Sequence, residues 1–151
     1  MDSQNFERYS RNIILPEIGG IGQKRILKSK VLIIGAGGIG APVLMYLTAS
    51  GIGKIGLVDF DTISLSNLQR QVLFGVKDIG KIKVDVAKEK LNSINPNTEI
   101  VTYPFELLDK NIQDIFGDYD IVLDGTDNYP TRYLINKYCF LKKKPLLFGA
   151  T

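Results

Sequence analysis

The candidate chemical groups in this sequence are carboxylates, amides and cations. Histidine is absent from its 151 residues. Without histidine, a Ser-His or Cys-His nucleophile pair and a His-ligated metal are excluded. The single cysteine, Cys139, has no evident activating partner and is expected to be a buried packing residue. Any reaction carried out by these residues must therefore need little proton transfer.

Asn67 and Arg70 lie three residues apart in the segment DFDTISLSNLQRQ. A helical turn there would place an amide and a guanidinium on one face, near the ends of strands. Taken alone, Arg70 is better interpreted as a solvated surface residue, because exposed arginine is common.

Lys83, in DIGKIKVD, falls in the first turn of a predicted helix. A cation opposes the helix dipole at that end, so this lysine would be better placed with an anion beside it. Asp127, in LDGTDN, follows a predicted strand at the edge where open α/β sheets bind ligands. Its residue type fits a helix N-cap and a Mg²⁺ ligand equally well.

The uncharged stretch VLIIGAGGIGAPVLMYLTASGIG, from Val31 to Gly53, is long enough to cross a membrane. Its internal order instead predicts a buried strand, a glycine turn and a helix. Asp59 ends the next strand, close to the roughly 20-residue offset expected for a ribose-binding acid. The turn supplies four candidate phosphate-binding glycines: Gly35, Gly37, Gly38 and Gly40.

These side chains together favour one ligand class. The glycine turn alone fits nicotinamide, flavin and ATP sites. One acid for a ribose, two cations for phosphates and one acid for a metal suit ATP better than a nicotinamide cofactor.

The remaining segments alternate between strands and helices. Further helices are predicted over 80–94, 109–116 and 128–143, and further strands over 54–60, 99–105, 119–125 and 145–150. On the first of these helices, Ile82, Val86 and Leu91 are predicted to point inward. On the last, Tyr133, Leu134 and Cys139 are predicted to lie near the apolar side.

This alternation predicts the α/β class: a Rossmann-like, doubly wound parallel sheet. We assign it to a nucleotide-binding domain over residues 30–151. A helical arm over 1–29 precedes it, with helices over 6–15 and 22–28 and a turn over 16–22.

Composition describes one ordinary globular domain, with 44% hydrophobic residues and a net charge of +3. The densest basic run, LKKKP, has no interleaved aromatic residues and is interpreted as a solvated helix end, so no nucleic-acid partner is expected. A polar N-terminal segment and a lone cysteine fit a reducing cytoplasm, and no membrane association is expected.

Five motifs resemble those of the ThiF/MoeB/HesA-type adenylyltransferases, bacterial relatives of ubiquitin-activating enzymes. They are RYSRNIILPEIG, GAGGIG, DFDTISLSNLQRQ, GKIKVD and LDGTDN, and the resemblance covers Arg8 to Thr151. It implies ATP-dependent adenylation of the C-terminal glycine of a ubiquitin-like sulfur-carrier protein, in molybdopterin or thiamine synthesis.

The resemblance also assigns roles to residues. Asp59 would hold the ribose, Asn67, Arg70 and Lys83 the phosphates, and Asp127 the Mg²⁺. Arg11 would reach the phosphates of the neighbouring subunit, which implies a homodimer. Members of the family usually continue for roughly another hundred residues, so this chain is expected to be truncated after its fifth strand, with no zinc site.

Two other functions share part of this pattern. An NAD-dependent oxidoreductase would use the glycine turn and Asp59 but leave Arg70, Lys83 and Asp127 without a role. A truncated, non-catalytic module would dimerise and bind nucleotide weakly or not at all.

Overall fold

A five-stranded parallel sheet forms the centre of the computed structural model, which describes residues 2–149. The strand order is β3-β2-β1-β4-β5, and every neighbouring pair is parallel. The strands are β1 (Lys30–Ile34), β2 (Lys54–Val58), β3 (Glu99–Tyr103), β4 (Ile121–Asp124) and β5 (Leu146–Phe148). The predicted α/β class and parallel sheet are thereby confirmed.

Seven α-helices among the described residues surround the sheet: α1 (Ser3–Arg8), α2 (Ser10–Ile13), α3 (Gly19–Ile26), α4 (Gly40–Ser50), α5 (Lys83–Ile94), α6 (Ile112–Phe116) and α7 (Tyr129–Lys142). Two hydrophobic cores lie on opposite faces of the sheet. Val31 and Ile33 of β1 pack with residues of α4 and α5, whereas Leu32 and Ile34 pack with residues of α6 and α7. This alternation buries β1 on both faces, as its continuous apolar run requires.

The chain builds the sheet outward from β1 in two directions, and this creates a switch point. Residues 30–103 place β2 and then β3 on one side, and the chain then returns to place β4 and β5 on the other. At such a reversal the connections after the two central strands diverge and leave a crevice at their carboxyl ends. Here the crevice opens between the ends of β1 and β4.

The N-terminal helices dock at the opposite edge of the sheet, where α4 and α5 end. Tyr9 is buried, and its hydroxyl accepts a 2.9 Å hydrogen bond from Asn95, the C-cap of α5. Gly51, the left-handed C-cap of α4, leaves room for the ring, because a Cβ there would lie 2.5 Å from Tyr9 Cζ. Gln23 of α3 donates to the Ser50 carbonyl at 2.8 Å.

Several predicted boundaries and orientations were wrong. Helix α5 begins at Lys83 rather than Gly80, and Ile82 is its 41%-exposed N-cap instead of an inward residue. Ile82 is extended there because it pairs with Thr62 in an isolated bridge. Strand β3 ends at Tyr103, since the following proline has no N–H to donate to a ladder.

The last helix and the N-terminal arm also differ from prediction. Tyr133 is 72% exposed, contrary to prediction, whereas Cys139 is buried and Leu134 is partly buried as predicted. Ile135 and Tyr138 complete the buried face of α7. Cys139 is a packing residue as expected, and burial raises the pKa of its thiol to about 11. Helix α3 begins at Gly19, inside the segment predicted as a turn, and the first predicted helix is divided into α1 and α2.

Three predicted ranges reach beyond what the structure describes. Met1, Ala150 and Thr151, at the ends of the predicted arm, last strand and domain, lie outside the described residues. Within residues 2–149, every helix is too short or too polar to cross a bilayer.

Candidate nucleotide-binding site

A cleft of about 750 Å³ occupies the switch point at the carboxyl edge of the sheet. It lies among the loops that follow β1, β2 and β4 and the segment that leads into α5. Its polar lining includes the sequence-predicted residues Gly35, Gly37, Gly38, Asp59, Asn67, Arg70, Lys83 and Asp127. The fold therefore brings together side chains and glycines that are spread over most of the chain.

The glycine turn after β1 forms one wall of the cleft. Gly35 has a φ of 93°, and a Cβ there would lie 3.0 Å from the Gly125 carbonyl oxygen. Helix α4 follows with Ile39 at its N-cap, so no side chain caps its first turn. Uncapped first-turn amides and a positive dipole end suit an anion.

Gly40 does not line the cleft, although its role was predicted with the other three glycines. A Cβ at Gly40 would lie 1.8 Å from the Gly35 carbonyl oxygen. Its contribution is the close packing of α4 against the turn, which holds the other glycines in place.

Asp59 is fixed at the end of β2 by two backbone groups. Its Oδ2 accepts from the Ala36 N–H at 2.7 Å, and its Oδ1 accepts from the Asp61 N–H at 2.9 Å. Burial raises the pKa of Asp59 above its ordinary value, an effect opposed by these two hydrogen bonds and by the charge of Lys83. Each oxygen keeps a second lone pair, so the carboxylate can also accept from a ligand hydroxyl.

Asn67 and Arg70 lie on the segment that packs over the glycine turn. Asn67 ends the 3₁₀ turn Leu65–Asn67, and its side chain accepts from the Ser64 N–H at 3.3 Å. Arg70 donates to the Ser66 carbonyl at 3.2 Å, and its side chain covers Gly38, where a Cβ would meet Arg70 Cδ at 3.3 Å. Asn67 and Arg70 thus both line the cleft, and Arg70 lies in the turn that follows the 3₁₀ segment rather than on a helix with Asn67.

Lys83 opens α5 as predicted, but its anion is part of the protein. Lys83 is 3% exposed, and its Nζ lies 2.8 Å from Asp61 Oδ2. The backbone adds a bond from the Lys83 N–H to the Asp61 carbonyl at 3.0 Å. Asp61 thus satisfies the need for a neighbouring anion that we inferred from the helix dipole, and a ligand phosphate is not required to explain Lys83.

Asp127 is exposed on the cleft and is not the helix cap. Asn128 caps α7, accepting from the Thr131 N–H at 3.0 Å, so the capping interpretation of Asp127 was wrong. The carboxylate of nearby Asp124 is already hydrogen-bonded within the protein. Its Oδ1 accepts from the N–H and the hydroxyl of Thr126, at 2.9 and 2.7 Å. Asp127 remains the carboxylate of this loop that is open to a ligand.

The described residues contain no group of three or more acidic, histidine or cysteine side chains that could hold a metal ion. A Mg²⁺ ion at Asp127 would therefore need ligand oxygens from outside the protein. Mg²⁺ sites with one or two carboxylates plus substrate phosphates have this composition. The donor set therefore fits a metal that enters with a nucleotide.

Gln71 and Arg132 line the cleft and were not predicted as site residues, and Asp61 was considered only as an alternative metal ligand. Arg132 donates through Nε to the Thr126 carbonyl at 3.1 Å and so holds the loop that carries Asp127. It lies in the first turn of α7, so the argument applied to Lys83 would have found it. Gln71 directly follows Arg70 but carries no charge, and its burial could not be read from the segment.

Arg11 does not reach this cleft. It is an exposed residue of α2, two positions after the buried Tyr9, at the opposite edge of the sheet. Helix α4 has 11 residues and runs from one edge to the other, a distance of about 16 Å at 1.5 Å per residue. Among the described residues, Arg11 has no side-chain hydrogen bond or ion pair.

Comparison with known proteins agrees with this geometry. The sequence model that describes the ThiF family matches residues 9–151. The chain belongs to the ThiF family. Its similarity to curated ThiF-family relatives extends over nearly its whole length, but those relatives are longer.

Two relatives illustrate this difference. The probable adenylyltransferase/sulfurtransferase MoeZ of Mycobacterium tuberculosis is 47% identical over 150 residues, which are 99% of this chain and 38% of MoeZ. The sulfur carrier protein adenylyltransferase of Thermus thermophilus is 45% identical over 147 residues, or 97% of this chain and 54% of that protein. The chain therefore spans about two fifths to half of their lengths.

Solved structures show the same fold. MccB of E. coli with ATP has a TM-score of 0.85 and 33% identity, over 95% of this chain and 45% of MccB. The tRNA N6-threonylcarbamoyladenosine dehydratase TcdA of E. coli, in complex with ATP, has a TM-score of 0.89 and 26% identity, over 97% of this chain and 60% of TcdA.

Proposed function

We propose that this ThiF-family chain binds MgATP and contributes the nucleotide site of an adenylyltransferase that activates the C-terminal glycine carboxylate of a ubiquitin-like sulfur-carrier protein. The observation that carries the proposal is the convergence of the glycine turn, Asp59, Arg70, Lys83 and Asp127 on one cleft. The ATP complexes of MccB and TcdA support the nucleotide. The carrier-protein adenylyltransferase of T. thermophilus supports the substrate class.

The residues suit a reaction that needs no general base. A C-terminal carboxylate is ionised at neutral pH, so its oxygen can attack the α-phosphorus directly, and the P–O bond to pyrophosphate breaks. Catalysis then reduces to positioning the reactants and neutralising charge. The absence of histidine from the sequence is compatible with such a step.

Each side chain would have a defined task in this reaction. Asp59, already oriented by two backbone N–H groups, would accept a ribose hydroxyl. Arg70 and Asn67, above the glycine turn, would bind phosphate oxygens together with Lys83. Lys83 is held by Asp61 at 2.8 Å, so it would be in position before the nucleotide arrives.

Asp127 would hold Mg²⁺ together with phosphate oxygens. When bound, the metal would neutralise charge on the pyrophosphate leaving group. Arg132 would act indirectly, because its guanidinium fixes the Thr126 carbonyl next to Asp127.

Arg11 would serve the site of a second copy of the chain, which makes a homodimer part of the proposal. Its support is positional: Tyr9 anchors the arm at the edge of the sheet opposite the cleft. A reducing cytoplasmic location and the division into an arm (1–29) and a nucleotide-binding domain (30–151) complete the proposal.

Calorimetric titration with MgATP and with NAD tests the ligand class. We expect MgATP to bind more tightly, because two cations and a metal-binding acid surround the expected phosphate position. Tighter binding of NAD would favour an oxidoreductase and would overturn the proposal. ATP–pyrophosphate exchange with candidate carrier proteins tests the reaction, and MgATP binding without exchange would support a non-catalytic module.

A further inference from the structure

The side-chain amide of Gln71 is buried beside the cleft without a hydrogen-bond partner. Gln71 is 3% exposed and lines the cleft. Its Oε1 is a buried atom without a hydrogen-bond partner. Its Nε2 makes no hydrogen bond to another described residue. Because buried polar groups are nearly always paired, an unpaired amide in a ligand cleft calls for an explanation.

Two other side-chain oxygens among the described residues are buried and unpaired, those of Thr48 and Thr98. Neither residue lines the cleft. Gln23, which is as buried as Gln71, has both ends of its amide occupied: Nε2 donates to the Ser50 carbonyl at 2.8 Å, and Oε1 accepts from Asn12 at 3.1 Å. The fold can therefore pair both ends of a buried glutamine amide, and at Gln71 it does not.

The position of Gln71 indicates what it would bind. A Cβ built on Gly37 would lie 4.0 Å from Gln71 Nε2, so the amide lies next to the phosphate-binding turn. The neighbouring Arg70 covers Gly38, the next residue of the same turn. A phosphate oxygen only accepts hydrogen bonds, so the NH₂ end of the amide is the part that would bind it.

We propose that Gln71 is a nucleotide-binding residue whose side-chain amide donates a hydrogen bond to a phosphate oxygen seated in the glycine turn. This inference rests on the proposed binding of MgATP. The amide adds a directed donor without adding charge, which distinguishes its contribution from those of Arg70 and Lys83. In the free protein the donor is already in place, so little side-chain entropy is lost on binding.

Two matched variants, Gln71→Met and Gln23→Met, test the proposal by calorimetry with MgATP and by thermal unfolding. Methionine keeps the approximate shape of glutamine and removes its hydrogen-bonding groups. For Gln71→Met we expect an unchanged or higher Tm and a Kd for MgATP raised at least about tenfold, the usual size for a lost bond to a charged group. For Gln23→Met we expect a lower Tm and a Kd within about twofold of the parent.

Adenosine and Gln71→Glu give independent readings of the same contact. Adenosine lacks phosphate, so its Kd should be the same for the parent and Gln71→Met. Gln71→Glu keeps the shape but places a carboxylate beside the phosphates, so its Kd for MgATP should rise above that of Gln71→Met. An equal loss of adenosine and MgATP binding would show general damage to the cleft and would overturn the proposal.

The outcomes separate this inference from the function on which it rests. If the parent protein binds MgATP and Gln71→Met binds it equally well, the role of Gln71 is wrong and the proposed function stands. If the parent protein does not bind MgATP, both are wrong. A fall in Tm for Gln71→Met with unchanged affinity would assign Gln71 to stability alone.

Discussion

The buried side-chain amides at the two edges of the sheet differ in their hydrogen bonding. At the edge where the N-terminal helices dock, Asn95 donates to both the Tyr9 hydroxyl and the Thr48 carbonyl and accepts from the Asn97 N–H. At the cleft edge, Gln71 is unpaired and burial raises the pKa of Asp59. The buried amide of Asn95 is therefore bonded within the protein and that of Gln71 is not, whereas the buried hydroxyls of Thr48 and Thr98, outside the cleft, are also unpaired.

This difference has an energetic meaning. An unsatisfied buried polar group typically costs about 1–3 kcal/mol, so the unpaired amide of Gln71 lowers the stability of the free protein. A phosphate oxygen at Nε2 would give this buried amide a hydrogen bond that it lacks in the free protein. At the docking edge, Gln23 and Asn95 instead make hydrogen bonds within the fold and thereby hold the arm that carries Arg11.

Asp127→Asn should give the largest effect among the tests of this comparison. A hard cation loses much of its attraction when a carboxylate becomes an amide, so ATP–pyrophosphate exchange should fall at least about 100-fold or require far more Mg²⁺. The Tm should stay nearly unchanged, because Asn128 and not Asp127 caps α7.

The adjacent residue supplies the matched control. Asn128→Ala removes the cap and should lower stability by about 1 kcal/mol, seen as a lower Tm. If Asp127→Asn exchanges at the parental rate and Mg²⁺ dependence, Asp127 does not hold the metal. Asp61 would then be the next carboxylate to test, since Asp124 is engaged by Thr126.

The order of the elements was predictable from sequence because each carries a local signal. The continuous apolar run of β1 predicts a strand buried on both faces, and the parallel sheet then places every strand end at one edge. Glycine spacing, Asp59, Arg70 and Lys83 follow those strand ends in the sequence. Knowing the topology was therefore enough to predict that they share a cleft.

What could not be predicted depends on contacts between distant segments. The Lys83–Asp61 pair joins α5 to the loop after β2, and no periodicity in either segment signals it. Ile82 was assigned inward by helical spacing, but its bridge to Thr62 keeps it extended at the N-cap. Likewise, the burial of Gln71 results from the packing of its segment on the glycine turn.

Arg11→Ala tests whether a residue at the docking edge of one copy contributes to the cleft of a second copy. If Arg11 serves the cleft of a second copy, its removal should lower exchange by about tenfold or more while the Tm is kept, because Arg11 has no side-chain bond within the described residues. Mixing Arg11→Ala with Arg70→Ala should restore about a quarter of the parental sites, since half the dimers are mixed and each has one intact site. An absence of recovery, with mixed dimers demonstrated by differently tagged chains, would contradict the shared site.

Asp78→Asn should have the smallest effect, and it should act on stability alone. The pH dependence expected for Asp78 is opposite in sign to that of Asp59 in the cleft. Asp78 accepts from Lys90 and Lys81 and from the Gly75 N–H, and the bond to Lys90 contributes most to lowering its pKa from 3.8 to about 2. A lowered folded-state pKa means that the ionised form stabilises the native state. This stabilisation is present above pH 4 and is lost as the pH falls through the folded pKa.

Urea unfolding of the parent and Asp78→Asn between pH 7 and pH 2.5 measures this contribution. At pH 7 we expect Asp78→Asn to be less stable by about 1–2 kcal/mol, the usual size for hydrogen bonds to a charged group. The difference should narrow steadily below pH 4, because the parental carboxylate is then increasingly protonated. Asp59 has the opposite sign: its raised pKa disfavours the ionised native state, so protonation of this cleft acid relieves a cost in the free protein. A stability difference for Asp78→Asn that stays constant from pH 7 to pH 2.5 would show that the carboxylate charge is not what holds the loop after Gly75 to α5.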